Sequence, residues 1–232
     1  MKKLSIIIPL YNEEKTILEV LNSIKTVPLS LEKETIIIND GSTDSSKSIV
    51  EEFIKKNKEL KIKLINKKNE GKGSAVKEGI KHSTGDIVII QDADLEYDQK
   101  DHQRCIDPII KGKYSVIYGS RRLEKSNKQI SSLSFFLGGN LLTLATNFLY
   151  NSKLTDEATC YKTFKASIIK SIEIKGNKFD WEPEVTAKIL KKGIKIGEVP
   201  IKYYPRLKKE GKKISWKDGI EAVWVLIKYK FI

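Results

Sequence analysis

The run Ile87-Val88-Ile89-Ile90 passes without a break into Gln91-Asp92-Ala93-Asp94-Leu95-Glu96. Consecutive β-branched residues of this kind fit a strand buried on both faces, as strands in parallel sheets are. Such a strand delivers the residues that follow it to the carboxyl edge of the sheet, where open α/β folds bind ligands. Asp92 and Asp94 have the same parity, so in an extended chain their carboxylates lean the same way. Two neighbouring carboxylates repel unless a cation lies between them. Oxygen ligands alone suit Mg²⁺ or Mn²⁺, ions that commonly bridge to phosphate oxygens. Spacing by itself leaves two readings open: a metal site, or two acids in a polar turn.

The rest of the first half repeats one rhythm. Leu4-Ser5-Ile6-Ile7-Ile8-Pro9 predicts a strand, and Ile17, Val20, Leu21 and Ile24 mark one face of a helix. Thr35–Ile38 is a second strand, ending in Asn39-Asp40-Gly41-Ser42-Thr43-Asp44, which carries turn and N-cap chemistry. A helix follows with Ile49, Val50, Phe53 and Ile54, then a strand over Ile62–Ile65. Asn69-Glu70-Gly71-Lys72-Gly73-Ser74-Ala75 is a glycine loop opening a helix that runs through Ile80. After Ile87–Ile90 come a helix near Asp101–Lys111 and a strand over Ser115–Tyr118. Alternation of this sort argues for an α/β fold with a mostly parallel sheet and helices on both faces. One crevice at the carboxyl edge then collects Glu13, Asp40, Asp92 and Asp94. The glycine loop is neither G-x-x-x-x-G-K-[ST] nor G-x-G-x-x-G after the first strand, which argues against a dinucleotide site. It is either a tight turn before a helix or a set of amides facing a phosphate.

Length and charge narrow the class. At 232 residues the chain is one large domain or slightly more. Its formal charge of +13 favours polyanions: nucleic acid, anionic lipid or phosphorylated substrates. Lys202, Arg206, Lys208, Lys209, Lys212 and Lys213 crowd one segment. Charge is the whole case for nucleic acid, since the chain has no aromatic-rich RNA-binding motif and no helix-turn-helix signature. Cys105 and Cys160 lie far apart, and His82 and His102 complete no zinc set, so the cysteines read as reduced and the chain as cytosolic. Met1-Lys2-Lys3 leads directly into a strand, which is not the pattern of a secretory signal.

Several short motifs, in order along nearly the whole chain, resemble glycosyltransferase family 2, most closely its polyprenyl-phosphate group. They are Pro9-Leu10-Tyr11-Asn12-Glu13, Asn39-Asp40-Gly41-Ser42-Thr43-Asp44, Gly71-Lys72-Gly73, Gln91 to Glu96, and Gly119-Ser120-Arg121. Later come Thr155-Asp156 with Cys160-Tyr161-Lys162, then Glu182-Pro183-Glu184 and Glu198-Val199-Pro200-Ile201. The resemblance implies a GT-A type fold and a nucleotide-diphospho-sugar donor in the crevice. It implies that Pro9, Tyr11, Glu13 and Ala93 line the donor pocket, with Asp40 bonding the base and Ile38 packing nearby. It assigns Asp92 to the ribose and metal, and Asp94 and Glu96 to the metal, Mg²⁺ or Mn²⁺. Glu96 stands where many relatives have glutamine, and Asn39 replaces the usual first acid of D-D-G-S. Arg121 is assigned to a phosphate, and Arg206 with Lys212 to a loop that closes on the donor diphosphate; bidentate Arg and point-charge Lys suit that task. Catalysis then falls to Asp92, Asp94, Arg121 and Arg206.

The reaction expected is inverting transfer of a hexose, from a GDP- or UDP-linked donor, to a polyprenyl phosphate. The acceptor phosphate is already ionised, so no strong base is needed. A hydroxyl acceptor would need one, with Asp156 and Glu184 as candidates. The catalytic domain is expected over 1–212, with a nucleotide-binding half to about 122 and an acceptor half over 123–212; a C-terminal amphipathic helix covers 213–232. Ile130–Ser152 carries no charge, with Leu133, Leu137, Leu141, Leu144 and Phe148 at helical spacing, but serines, glycines and asparagines make it too polar for a confident span. It reads as a helix on the bilayer, on a partner, or in the core. Ile220, Val223, Trp224, Ile227 and Phe231 mark an apolar face on the last helix, flanked by Lys228 and Lys230. The chain is therefore expected at the cytoplasmic face of a membrane, with a membrane-anchoring subunit or a second copy as further partners and no nucleic acid.

Overall fold

The computed structural model describes residues 1–127, 133–206 and 216–232 of the chain, the side chains of 133–137 and 216–217 excepted. Strands β1 (Lys3–Leu10), β2 (Glu32–Asp40), β3 (Ile62–Lys67) and β4 (Ile87–Ile90) alternate with helices α1 (Ile17–Thr26), α2 (Ser46–Lys56) and α3 (Lys72–His82). Then follow α4 (His102–Ile110), β5 (Val116–Ser120), α5 (Leu133–Tyr150), β6 (Lys162–Lys165), α6 (Ala166–Lys170), α7 (Trp181–Lys191), β7 (Ile196–Pro200) and α8 (Trp216–Phe231). The seven strands form one sheet in the order β3-β2-β1-β4-β6-β5-β7. Pairs β1–β2, β2–β3, β1–β4 and β5–β7 are parallel.

The apolar runs do what their composition requires. All four residues of β4 are buried, as are Leu4, Ile6, Ile7 and Ile8 of β1, because helices cover both faces. On α1 the buried residues are Ile17, Val20, Leu21 and Ile24, the stripe read from the sequence. The register sets Pro9 beside Ile38 and Leu10 beside Asn39, so the first two loops leave the sheet side by side.

β6 departs from the expected alternation. It inserts antiparallel between β4 and β5, so these consecutive strands do not pair with each other. Its sequence, Lys-Thr-Phe-Lys, has no apolar run to announce it. The Lys162 side chain is nevertheless fully buried, with its ammonium 3.7 Å from Glu157 and 4.0 Å from the Tyr118 ring centroid. Burial of that charge is tolerable because it is paired and faces an aromatic ring.

A second, smaller core joins α5, α7 and α8 through Leu142, Ala187, Ala222 and Leu226. The opposite sides of α5 and α8 are apolar and exposed: Leu141, Leu144 and Phe148 on one, Ile220, Trp224, Ile227 and Phe231 on the other. Each helix thus has an inward and an outward apolar face. Among the described residues no helix is long and apolar enough to cross a membrane.

Candidate active site

The loops after β1 and β2 are stitched together at the carboxyl edge. Asn12 takes a left-handed backbone (φ 49°), and its carbonyl oxygen Oδ1 accepts from the Thr43 amide at 2.8 Å. The Glu13 amide donates to Ser46 Oγ at 2.8 Å, and the Glu14 amide to Asp44 at 3.1 Å. Asn39 braces the turn after β2: its Oδ1 accepts from the Ser42 amide, and its amide nitrogen donates to Asn66. This holds Glu13 over the crevice. Pro9 and Ile38 lie side by side in the sheet, Ile38 and Ala93 are buried, and Tyr11 is partly exposed at the rim.

Asp40 and the glycine loop form one unit. The Asp40 carboxylate accepts from the Glu70 and Gly71 amides at 3.1 and 2.8 Å, and from Lys67 at 2.9 Å. The next amides, Gly73 and Ser74, donate to the carbonyls of Lys178 and Asn177 at 3.0 and 2.9 Å. A β-carbon on Gly71 (φ +107°) would come within 2.6 Å of the Asn177 carbonyl oxygen, and one on Gly73 within 2.6 Å of that of Gly176. The glycines therefore serve close docking onto the chain before α7. These amides face protein acceptors, which answers the open question of whether they cradle a phosphate.

Beyond β4 the chain leaves the extended conformation, and Asp92 and Asp94 meet different cations. Lys72 Nζ lies 2.8 Å from Asp92 Oδ1 and 3.0 Å from Glu182 Oε1. The Arg206 guanidinium lies 2.7 Å from Asp94 and 3.0 Å from Glu13, while its backbone amide donates to Glu96 at 2.7 Å. An antiparallel bridge between Tyr97 and Tyr203 brings the 203–206 segment back to this edge. The Tyr203 hydroxyl also reaches Glu96, at 3.3 Å.

Burial, followed by repulsion from Asp92 and Glu96, pushes the Asp94 carboxyl up to about 7, although Arg206 pulls the other way. The upward shift despite a direct arginine contact means that negative charge and desolvation together outweigh that one cation. Burial disfavours the Lys72 charge, but Asp92 and Glu182 more than offset this and hold it well above its ordinary range.

No three carboxylate, imidazole or thiol groups among the described residues stand grouped as a ready metal cage. The chemistry of the donor set still fits a hard divalent ion: every candidate ligand is a carboxylate oxygen, and Asp94 carries uncompensated negative surroundings.

Arg121 has a different setting. Its Nε and Nη2 grip Asp156 in a fork at 2.7 Å each, Nη2 also donates to the Ala158 carbonyl at 2.6 Å, and the Tyr203 ring lies 5.0 Å away. Arg121, with its guanidinium and amide bonds, keeps Asp156 ionised below the usual carboxylate range even though burial opposes this. Glu184 is equally committed: it accepts from the Lys175 and Gly176 amides at 2.9 and 2.6 Å and pairs with Lys188. The two acids expected for a hydroxyl acceptor are therefore both held in internal contacts. The residues that reading motifs alone passed over are Lys72 and Glu182; Gly71-Lys72-Gly73 and Glu182-Pro183-Glu184 were visible, but which member faced the crevice was not. Lys212 lies outside the described residues.

The seven-stranded sheet and this edge can be set beside known proteins. The crystal structure of glucosyl-3-phosphoglycerate synthase from Mycobacterium tuberculosis superposes with a TM-score of 0.77 at 17% identity, covering 100% of this chain and 82% of that one. Its fold is the GT-A fold, and a form of the same enzyme crystallised with Mn²⁺ and UDP-glucose gives a TM-score of 0.71. An uncharacterized protein of Methanocaldococcus jannaschii, MJ0544, is 29% identical over 97% of this chain and 98% of its own length. The dodecaprenyl-phosphate galacturonate synthase of Rhizobium johnstonii is 23% identical over 88% of this chain, which spans 60% of that relative's length. The family model "Glycosyl transferase family 2" matches residues 5–173. With that match over most of its length, on a GT-A sheet whose carboxyl edge gathers Glu13, Asp92 and Asp94, the chain belongs to glycosyltransferase family 2.

Proposed function

We propose that this glycosyltransferase moves a hexose from a nucleotide-diphospho-sugar to a polyprenyl phosphate, with inversion, at a membrane surface. The observation that carries the donor half is the acidic edge where Asp94, Glu13 and Glu96 converge on Arg206. In this reading Pro9, Tyr11, Ile38, Asp40 and Ala93 border the nucleoside. Asp92, Asp94 and Glu96 would hold Mg²⁺ or Mn²⁺, which when bound neutralises the departing diphosphate. Arg206 exchanges its carboxylate partners for phosphate oxygens, a geometry guanidinium groups favour. Lys212 is the second cation that this reading assigns to the diphosphate. Arg121, matched by its two-bond fork onto Asp156, holds the segment after β5 in place. The acceptor phosphate oxygen bonds to the anomeric carbon as the bond to the donor diphosphate breaks, and the diphosphate leaves from the opposite face.

Two observations support the lipid acceptor. The relative from Rhizobium johnstonii bears the name of a polyprenyl-phosphate synthase. The outward faces of α5 and α8 leave Phe148 88% and Phe231 81% exposed beside Lys228 and Lys230, a composition suited to the headgroup region of a bilayer. Buried free Cys105 and Cys160 suit the reducing, cytoplasmic side. A membrane-anchoring subunit or a second copy would share the same apolar surface.

The test uses the full chain, Mn²⁺ or Mg²⁺, a panel of GDP- and UDP-sugars, and a short polyprenyl phosphate in detergent. A glycosylated lipid phosphate that disappears in Asp94→Ala is the expected product. Donor hydrolysis or transfer to a hydroxyl, with no lipid product, would overturn the acceptor assignment. Failure to bind any nucleotide sugar would overturn the reading entirely.

A further inference from the structure

Gln91 follows the buried strand β4 with a polar side chain, and none of the roles given to the acidic edge uses it. It is fully buried, and its backbone amide continues the sheet through a 2.9 Å bond to the Ile7 carbonyl. Its side-chain bonds are all made inside the protein. Nε2 donates to the Asp92 carbonyl at 2.8 Å. Oε1 accepts from Nε2 of His102, the first residue of α4, and from the Tyr161 hydroxyl ahead of β6, each at 2.8 Å. His102 and Tyr161 are themselves fully buried, with ring centroids 5.1 Å apart.

The Asp92 carbonyl decides which way the amide points, because a reversed amide would set two oxygens 2.8 Å apart. With Oε1 then facing His102, the imidazole carries its proton on Nε2. Burial pushes that imidazole down to about 3, so it stays neutral with a single proton to place. Its Nδ1 has no hydrogen-bond partner among the described residues. The next carbonyl, that of Ala93, accepts from the Thr16 hydroxyl at 2.8 Å. Both peptide groups between Asp92 and Asp94 are thus held by side chains, and rotation of either would swing the two carboxylates.

We infer that Gln91 is a positioning residue for glycosyl transfer: clamped by Tyr161 and His102, it fixes the peptide after Asp92 and so aims Asp92 and Asp94 at the donor. The inference rests on the donor reading above for what the two acids do. Either clamping donor alone keeps Oε1 occupied, whereas loss of both frees the amide to turn away from Asp92.

The test is a double-mutant cycle on the full chain in the polyprenyl-phosphate assay above. Tyr161→Phe and His102→Phe each keep an aromatic ring, and each is expected to leave kcat within about twofold. Their combination is expected to lower kcat about ten- to a hundredfold, and Gln91→Met to match it, with circular dichroism showing folded protein at the assay temperature. Crystals of the double variant and of Gln91→Met add a readout apart from turnover: the Asp92–Ala93 peptide is expected to have rotated from its wild-type orientation. A double variant no slower than the product of the two single effects would overturn the inference. So would a lowered kcat with that peptide unmoved, or a lowered urea midpoint with kcat unchanged, which marks a purely structural knot. Absence of turnover in the wild type, or unchanged kcat in Asp94→Asn, fails the donor reading instead, and the peptide in the variant crystals still decides whether the clamp exists.

Discussion

Arg121 and Arg206 carry the same expectation, contact with a phosphate, and sit in opposite electrostatic settings. Arg121 meets one carboxylate in a two-bond fork, and Asp156 is held below its usual range. Arg206 touches two carboxylates and approaches a third through its amide, yet Asp94 beside it is pushed up to about 7. The first pair is matched charge for charge and built into the frame between β5 and the 155–158 segment. The second lies among excess negative charge. The difference lies in the cations' surroundings rather than in their identity, and under the proposed function Arg206 is the one that would exchange partners.

Removing Arg121 is expected to have the largest effect. Arg121→Met strands a buried Asp156 carboxylate and costs about 3–5 kcal/mol, read as a drop in the urea midpoint. Asp156→Asn in the same background should restore much of that loss; failure to restore it would break the account of a matched pair. Arg206→Met is expected to leave the midpoint within about 1 kcal/mol while lowering turnover about a hundredfold or more. Equal destabilisation by the two substitutions would erase the contrast.

The pH dependence sharpens it further. Asp94 has a folded-state pKa raised from 3.8 to about 7, so the native state binds its proton more tightly than the unfolded chain does. In metal-free protein its contribution to stability is fully present below about 4 and is lost as the pH rises towards 7. Asp94→Asn should remove that decline and stabilise the metal-free protein above pH 7 by about 1 kcal/mol or more, as followed by thermal unfolding across pH. A variant that declines with pH as steeply as the wild type would place the strain elsewhere. The smallest effect is expected at the exposed Lys61–Glu32 pair, where Lys61→Met should leave the urea midpoint unchanged. A lowered midpoint there would mean that exposure does not order these pairs.

Much of the first half of the chain was legible because its signals are local. Buried parallel strands require unbroken apolar runs, and β1, β2 and β4 have them, whereas the edge strand β3 is interrupted by Lys63 and only half-buried. The acids that follow β1, β2 and β4 reach one edge for the same reason. β6 was illegible, since a four-residue strand with two lysines has no such run, and its buried Lys162 is explained by Glu157 and Tyr118 from elsewhere in the chain. The periodicity of α5 and α8 identified an apolar face on each, but not that each would bury one side against α7 and expose the other.

The amino-acid sequence by itself therefore determined the alternating α/β frame, the acidic carboxyl edge and the family, because strand burial and motif order are properties of short contiguous stretches. The tertiary structure alone decided the partners: Lys72 to Asp92 and Glu182, Arg206 to Asp94 and Glu13, Arg121 to Asp156. Glu13 and Arg206 are 193 residues apart, and Lys72 and Glu182 are 110 apart. Charge pairing depends on distance in space and on burial, and neither quantity is written in the spacing of residues along the chain.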